Sequence, residues 1–400
     1  MINKKLNACQ VIANSSITDR ILLKCIQMKY IFIKFIHFLY KNILRRIIFL
    51  FNSELIHDFA TVFGEFLGKF KILKNLTKVF FGYDNKILSQ KINGIYFNNP
   101  IGLAAGFDYQ AKLTQILPAI GFGFETIGTI TNKPYQGNPK PRLGRLVRSQ
   151  SLLVNKGFKN QGVDNVIRKL KNSSFLIPIG ISIGKTNTTK KMNQNEAVED
   201  VVSAFKKAEK SKKIFSYYEL NISCPNLYGN VTFYPPRNLK ALLQKVTDLK
   251  LNKPLFIKMP IEKSDEETLG MLSVIALFPV QGIIFGNLQK NRKEPGLDQK
   301  EIEKYKIGNF SGKPTEKRSN ELIKLAFQKY GNKLTIIGCG GVFSGKDAYR
   351  KIRLGASLVQ FITGLVFEGP QLAAQINYEL NESLKKDGFK HISEAIGADA

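Results

Sequence analysis

A (β/α)8 barrel carrying an N-terminal helical extension is the fold this sequence predicts. Three observations carry the prediction. From about residue 92 onward, eight short β-branched or apolar runs alternate with charged stretches of helical pattern. Gly or polar residues follow each run, so small, hydroxyl, amide and cationic groups gather where the strands would end. Residues 28–80 have a different texture, basic and aromatic at helical spacing.

In chain order, residues 1–27 read as a weakly structured segment, with one short apolar run near Ile21. Residues 28–80 read as a basic amphipathic helical region. Phe32, Phe35, Ile36, Phe38 and Leu39 recur beside Lys34 and Lys41. After Ser53, an expected N-cap, and Glu54 in the first turn, the stripe Leu55, Phe59, Val62, Phe63 and Phe66 follows. Residues 1–80 hold thirteen Lys/Arg against four Asp/Glu. Helices of this kind suit a membrane interface, apolar face down and cations toward lipid phosphate. The region is expected to be a separate element whose removal spares the barrel and its cofactor.

Residues 81–400 form the barrel. The expected strands are 101–103, 124–127, 179–183, 218–221, 255–258, 282–285, 334–337 and 358–361. The long intervals after the second and sixth strands predict insertions there.

The expected rim carries chemistry. Tyr217 to Asn226 starts as a strand and ends as a loop, because Pro225 lacks an amide proton and pushes Cys224 out of helical geometry. It sets Asn221, Ser223, Cys224 and Asn226 at a strand end. Cys224 is a candidate general base, its thiolate accessible near neutral pH with modest help from neighbours. Lys258 ends an apolar strand and calls for an anionic or polar ligand. Gly338-Cys339-Gly340-Gly341 and Thr363-Gly364 follow the seventh and eighth strands, where barrels bind phosphate: Gly340, Gly341, Thr363 and Gly364 are the expected contacts. One thiol base beside a phosphate-bearing cofactor suggests proton abstraction coupled to hydride transfer, not hydrolysis.

Composition narrows the classes further. Apolar content of 44% is that of a globular chain, and 60 Lys/Arg against 31 Asp/Glu give a formal charge of +29, inviting an acidic partner or reflecting a Lys-rich background. Four cysteines without C-x-x-C spacing and three dispersed histidines argue against a metal site, a disulfide framework or a His-based triad. No secretory signal is visible, and no run reaches the ~18 apolar residues of a membrane span.

Several segments together resemble dihydroorotate dehydrogenase: Asn98 to Asp108, Gly121 to Thr131, Gly137 to Arg142 and Gly355 to Gln360. The resemblance covers roughly residues 45–380 and implies an FMN-containing barrel that oxidises dihydroorotate to orotate in pyrimidine biosynthesis. Phe51 to Phe59, with Glu54 and His57, is similar to the N-terminal signature of the quinone-linked, membrane-associated class. That implies a quinone partner and a peripheral place on the cytoplasmic face of the membrane, with no nucleic acid. By the same resemblance FMN would meet Ala105, Gly106, Thr129, Asn221, Lys258, Gly312, Gly341 and Thr363. Ser182 stands where the family has a flavin-binding Asn. Orotate would meet Asn221, Asn226, Asn287 and the surroundings of Phe158, with Asn155 one position away from the family's Asn. Cys224 falls on the catalytic base, where the quinone-linked class has Ser. Tyr109 stands at a substrate-contacting Lys and Leu288 at a hydroxyl residue; Lys112 or Lys156 could supply the missing cation.

Three other readings share some of these features. A soluble-class dehydrogenase using fumarate or NAD would suit Cys224. An FMN barrel acting on tRNA uridine would suit the positive charge. A non-enzymatic flavin binder would suit the altered substrate contacts.

Overall fold

The computed structural model describes residues 17–400 apart from Lys212 and Asn230, with side chains described from Gln27 onward. Most of the segment read as weakly structured, residues 1–16, lies outside the described residues. A helix then runs Ile17–Leu39.

Eight parallel strands close a barrel. In chain order they are Ile101–Leu103, Phe124–Ile130, Ile179–Ile183, Tyr217–Asn221, Leu255–Lys258, Gly282–Phe285, Thr335–Cys339 and Leu358–Phe361. Each runs beside its sequence neighbour, and the eighth closes on the first through Val359 opposite Ile101 and Phe361 opposite Leu103. The strands read as continuous apolar runs because both faces are buried. Phe97, Phe124, Tyr217, Phe256, Ile284, Ile337 and Leu358 fill the barrel interior. Phe97 comes from a hairpin, Gln90–Ile92 with Ile95–Phe97, and meets Phe124 edge-on at 5.3 Å.

The insertions lie where the long intervals place them. After the second strand come Leu143–Leu146 and Ser151–Val154; after the sixth comes Asn309–Phe310. These join as one antiparallel three-stranded sheet.

Ahead of the barrel, the helix Ile17–Leu39 continues through a π-turn, Tyr40–Leu44, into Arg45–Ile48; helices Ser53–Lys69 and Lys71–Phe81 follow. The cap of the helix Ser53–Lys69 is Asn52, not Ser53: the Asn52 carboxamide accepts from the amides of Glu54 and Leu55. This helix lies close against the barrel because Gly64 and Gly68 have no side chain. A Cβ on Gly64 would stand 2.4 Å from Leu113 Cδ2, and one on Gly68 2.9 Å from Gln115 Cβ. Its buried face is thus His57, Thr61, Gly64 and Gly68. The aromatic stripe faces outward: Leu55, Phe59, Val62, Phe63 and Phe66 are all exposed, as are Phe35 and Phe38. No helix among the described residues is long and apolar enough to cross a membrane.

The helix Ile17–Leu39 rests on the C-terminal helix Leu372–Asp387, with Lys34 Nζ 2.8 Å from Glu379 and the rings of Tyr30 and Tyr378 5.2 Å apart.

Candidate active site

The carboxyl ends of the strands open into one continuous cavity of about 720 Å³ that extends between the N-terminal helices. It brings together fourteen residues singled out from the sequence. Gly312, Gly340, Gly341, Thr363 and Gly364 stand at one side, and Ala105, Gly106, Thr129, Asn221 and Lys258 line the barrel rim. Cys224, Asn226, Asn287 and Phe158 complete the set. Ser182 and Asn155 are buried just outside the wall.

The glycine side is a cradle that side chains would fill. A Cβ on Gly340 would lie 2.6 Å from Thr315 Oγ1, on Gly341 2.3 Å from Glu316 Cβ, and on Gly364 2.1 Å from the carbonyl of Val342. Gly340 and Gly341 also have φ of +101° and +72°, which disfavours other residues. Thr363 Oγ1 lies 2.7 Å from Ser311 Oγ. Lys313 stands at the edge, 2.8 Å from Glu316 and 3.2 Å from Asp347. Burial pulls the Lys313 pKa down, but these two carboxylates outweigh it and leave it raised. The exclusion of Cβ atoms, the hydroxyl and the nearby lysine fit a phosphate group.

Along the rim, the hydroxyl and amide groups form one chain. Asn221 donates from Nδ2 to Thr129 Oγ1 at 2.8 Å. Its Oδ1 accepts from the Ser223 amide at 3.1 Å and from Ser223 Oγ at 2.9 Å. Asn287 Nδ2 donates to Ser223 Oγ at 2.6 Å. Ser182 backs this chain, 2.8 Å from Thr129 Oγ1 and donating to Glu219 at 2.6 Å. Lys258 is buried on the cavity wall, with no carboxylate partner among the described residues.

Cys224 is half-buried where this chain meets the cavity. Loss of solvent pushes its thiol up to about 12; the Asn226 amide and the charges of Lys258, Lys290 and Lys185 act in the opposite sense without overcoming it. This runs against the expectation of a thiolate near neutral pH, because burial disfavours the charged form.

An amide hub holds the other wall. Asn138 Nδ2 donates to Asn155 Oδ1 and to the carbonyl of Asn226, both at 3.0 Å, and Asn138 Oδ1 accepts from Asn187 at 3.0 Å. Asn226 donates to the carbonyl of Val154 at 3.1 Å and accepts from Asn309 at 2.6 Å. Asn155 thus acts on the cavity through Asn138. The Asn138 hub escaped the reading of single residues because its partners are dispersed in sequence.

Where the cavity passes toward the helices, His57 Nε2 lies 2.8 Å from the carbonyl of Phe107, and its ring stacks on Tyr109 at 5.5 Å. Tyr109 donates to Asp58 at 3.2 Å. The hydrogen bond to His57 holds Asp58 down to about 2. Lys156 Nζ stands 4.5 Å from the Tyr109 ring centre, and burial lowers its pKa to about 8. Of the two lysines considered as substitute cations, Lys156 lines the cavity and Lys112 does not. Glu54 binds Arg142 at 3.1 Å and Lys159 at 2.8 Å, tying the helix to the barrel. Beyond His57 the wall turns apolar: Leu44, Ile48, Phe49, Ile56, Phe59, Ala60 and Phe63.

A family model described as dihydroorotate dehydrogenase matches residues 87–384. Among similar proteins, a dihydroorotate dehydrogenase (quinone) of Nautilia profundicola is 35% identical over 90% of this chain and 96% of its own length. One of Christiangramia forsetii is 36% identical over 86% and 99%. The structure of DHODH in complex with ferulenol from Eimeria tenella superimposes with a TM-score of 0.77 at 27% identity, covering 87% of this chain and 96% of that one.

Proposed function

The chain belongs to the dihydroorotate dehydrogenase family, and on that premise we propose that it oxidises dihydroorotate to orotate in pyrimidine biosynthesis and passes the electrons through FMN to a quinone. One observation carries this reading most: a single cavity joins a phosphate-shaped cradle, a thiol and an amide-lined rim to an apolar mouth between helices.

FMN would be held with its phosphate on Gly340, Gly341, Thr363 and Gly364. Ala105, Gly106, Thr129, Asn221, Lys258 and Gly312 lie along the rest of the path. When bound, FMN supplies the two-electron acceptor for the substrate's hydride. Lys258 offers positive charge where negative charge develops on reduction. Asn221, Asn226 and Asn287 orient the substrate through their carboxamides, each pinned by the hydrogen bonds above. Cys224 Sγ takes the proton from the substrate carbon. Its raised pKa makes the thiolate scarce but strongly basic, and Lys258, Lys290 and Lys185 favour its formation. Phe158 and the amide hub limit the water around it.

Residues 28–80 would hold the quinone. Their inner surface, with Phe59 and Phe63, forms the apolar mouth, and the exposed Leu55, Val62 and Phe66 would lie on a lipid surface beside basic residues. This supports a peripheral position on a membrane surface.

The test is anaerobic mixing of the purified chain with dihydroorotate, followed by reoxidation with a quinone, fumarate or NAD. Bleaching of flavin absorbance by dihydroorotate and its rapid return with quinone alone are expected. A protein that dihydroorotate never bleaches would refute the substrate, and one reoxidised faster by fumarate would refute the acceptor.

A further inference from the structure

Behind the glycine cradle, the helix Gly345–Arg353 sends one cation into the protein rather than to solvent. Lys351 is fully buried. Its ammonium donates to two neutral acceptors, Ser319 Oγ at 2.9 Å and Asn320 Oδ1 at 2.8 Å, and has no carboxylate in salt-bridge contact among the described residues. A buried lysine without an ion-pair partner is costly, so an anion is favoured on the side that its stem and hydrogen bonds face.

That direction is the cradle. Ser319 donates in turn to the carbonyl of Cys339 at 2.6 Å. Ser319 Cβ lies 3.6 Å from the place a Cβ on Gly340 would occupy, and Lys351 Cδ lies 3.1 Å from the same place on Gly338. The lysine stem therefore runs beneath the Gly338–Gly341 turn. The series Lys351, Ser319, Cys339 carbonyl connects its charge to that turn without reaching the cavity.

We infer that Lys351 is a positioning residue for the flavin phosphate: a buried cation that makes the cradle prefer a phosphorylated flavin while touching no part of it. This rests on the flavin reading of the cavity given above. A second positive charge behind a dianion, in a medium of low dielectric, is worth roughly tenfold or more in affinity.

The groups around Lys351 give the effect a pH signature. Burial is the largest influence and lowers its pKa to about 8; Cys339, Glu316 and Asp347 act to raise it, and Lys313 lowers it further. Lys313, held by Glu316 and Asp347, has its own pKa raised and keeps its charge through the same range. The second phosphate pKa lies near 6, so the ligand remains dianionic above pH 7. Raising the pH through about 8 neutralises Lys351 and should weaken FMN specifically.

The experiment measures binding of FMN and of riboflavin, which lacks the phosphate, to the full-length chain by flavin fluorescence from pH 7 to 9. Lys351→Met is expected to lose roughly tenfold or more in FMN affinity, leave riboflavin affinity unchanged, and abolish the pH dependence of the FMN-to-riboflavin ratio. A variant that keeps the wild-type ratio and its pH slope overturns the proposal, and assigns the slope to another group. Equal loss of both ligands also overturns it, as a packing role. Should Lys351→Met fail to fold, the wild-type series decides: a ratio constant across this pH range overturns the proposal. If the wild-type chain binds neither flavin, the flavin reading fails and takes this inference with it.

Discussion

Tyr40, in the π-turn of the N-terminal helix, donates its phenol proton to the carbonyl of Val366 at 2.7 Å. Val366 belongs to the short helix Thr363–Glu368, whose first residues line the cradle. Two neighbours reinforce the contact: Arg45 donates to the carbonyl of Phe367 at 3.1 Å, and Lys41 reaches Glu368 at 2.8 Å. One segment thus takes up the last turn of the helix that carries Thr363 and Gly364, placing cations at its negative end. Residues 28–80 are thus hydrogen-bonded to the barrel beside its cradle.

The first prediction follows from that contact. Tyr40→Phe leaves a carbonyl short of a donor in a half-buried place, a loss of about 1 kcal/mol. A lower melting temperature is expected, together with faster FMN release, because the helix loses part of its anchor. Thermal unfolding and flavin-release kinetics read the two effects; unchanged release would show that the anchor stops short of the cradle.

As the proposed base, Cys224 would set the pH dependence of the first half-reaction. A base with its pKa pushed up to about 12 is mostly protonated at neutral pH. Flavin reduction by dihydroorotate should keep accelerating as pH rises from 7 to 10, without levelling off near 8. Lys290→Gln removes a charge that favours the thiolate and should slow reduction at every pH in that range. Cys224→Ala should cost about 10²–10⁴-fold while FMN stays bound. Anaerobic stopped flow measures all three, and a plateau below pH 9 would contradict the raised pKa.

Lys156 should behave oppositely. Its pKa of about 8 means that it is cationic at neutral pH and loses charge as pH rises. If it supplies the cation for the substrate carboxylate, KM for dihydroorotate climbs above pH 8 while kcat does not fall with it. Lys156→Met should raise KM about tenfold or more at pH 7 and remove that climb. A variant with the wild-type KM would confine Lys156 to its contact with Tyr109.

The outward stripe predicts lipid binding. Leu55→Ser combined with Phe66→Ser alters two exposed side chains outside the cavity wall and should leave thermal stability within about 0.5 kcal/mol. Flotation with anionic vesicles should fall sharply, and reduction of a long-chain quinone with it, while a water-soluble quinone analogue reacts as before. Equal flotation of variant and parent would remove the membrane from the proposal.

Much of the barrel was legible because each strand is short, apolar on both faces and closed by Gly or a polar residue. Lys258, Asn221 and Gly340 could be placed from that pattern alone, since a strand end in this fold is a rim position. What sequence could not give was distance. Asn138 serves Asn155, Asn187 and Asn226 only because three separate loops converge. Ser182 points along the barrel rather than into the cavity because Glu219 accepts its proton. The thiol of Cys224 looked accessible to ionisation because its neighbours in sequence are polar, whereas its neighbours in space exclude water. The cap at Asn52 was missed by one residue, since Ser53 is an equally good capping type and only backbone geometry separates them.

The helix Ile17–Leu39 leans on the helix Leu372–Asp387, Lys34 against Glu379, 345 positions apart in sequence. During synthesis that partner does not exist until almost the whole chain has been made. At about 5–20 residues per second, the N-terminal helix waits roughly 15–70 s for its seat. Throughout that interval Lys34 and Tyr30 lack their partners Glu379 and Tyr378. A ribosome working near a lipid surface would therefore present these helices before it completes the cofactor cradle. Membrane capture should precede flavin loading, and nascent chains arrested before residue 358 should already cosediment with vesicles while binding no FMN.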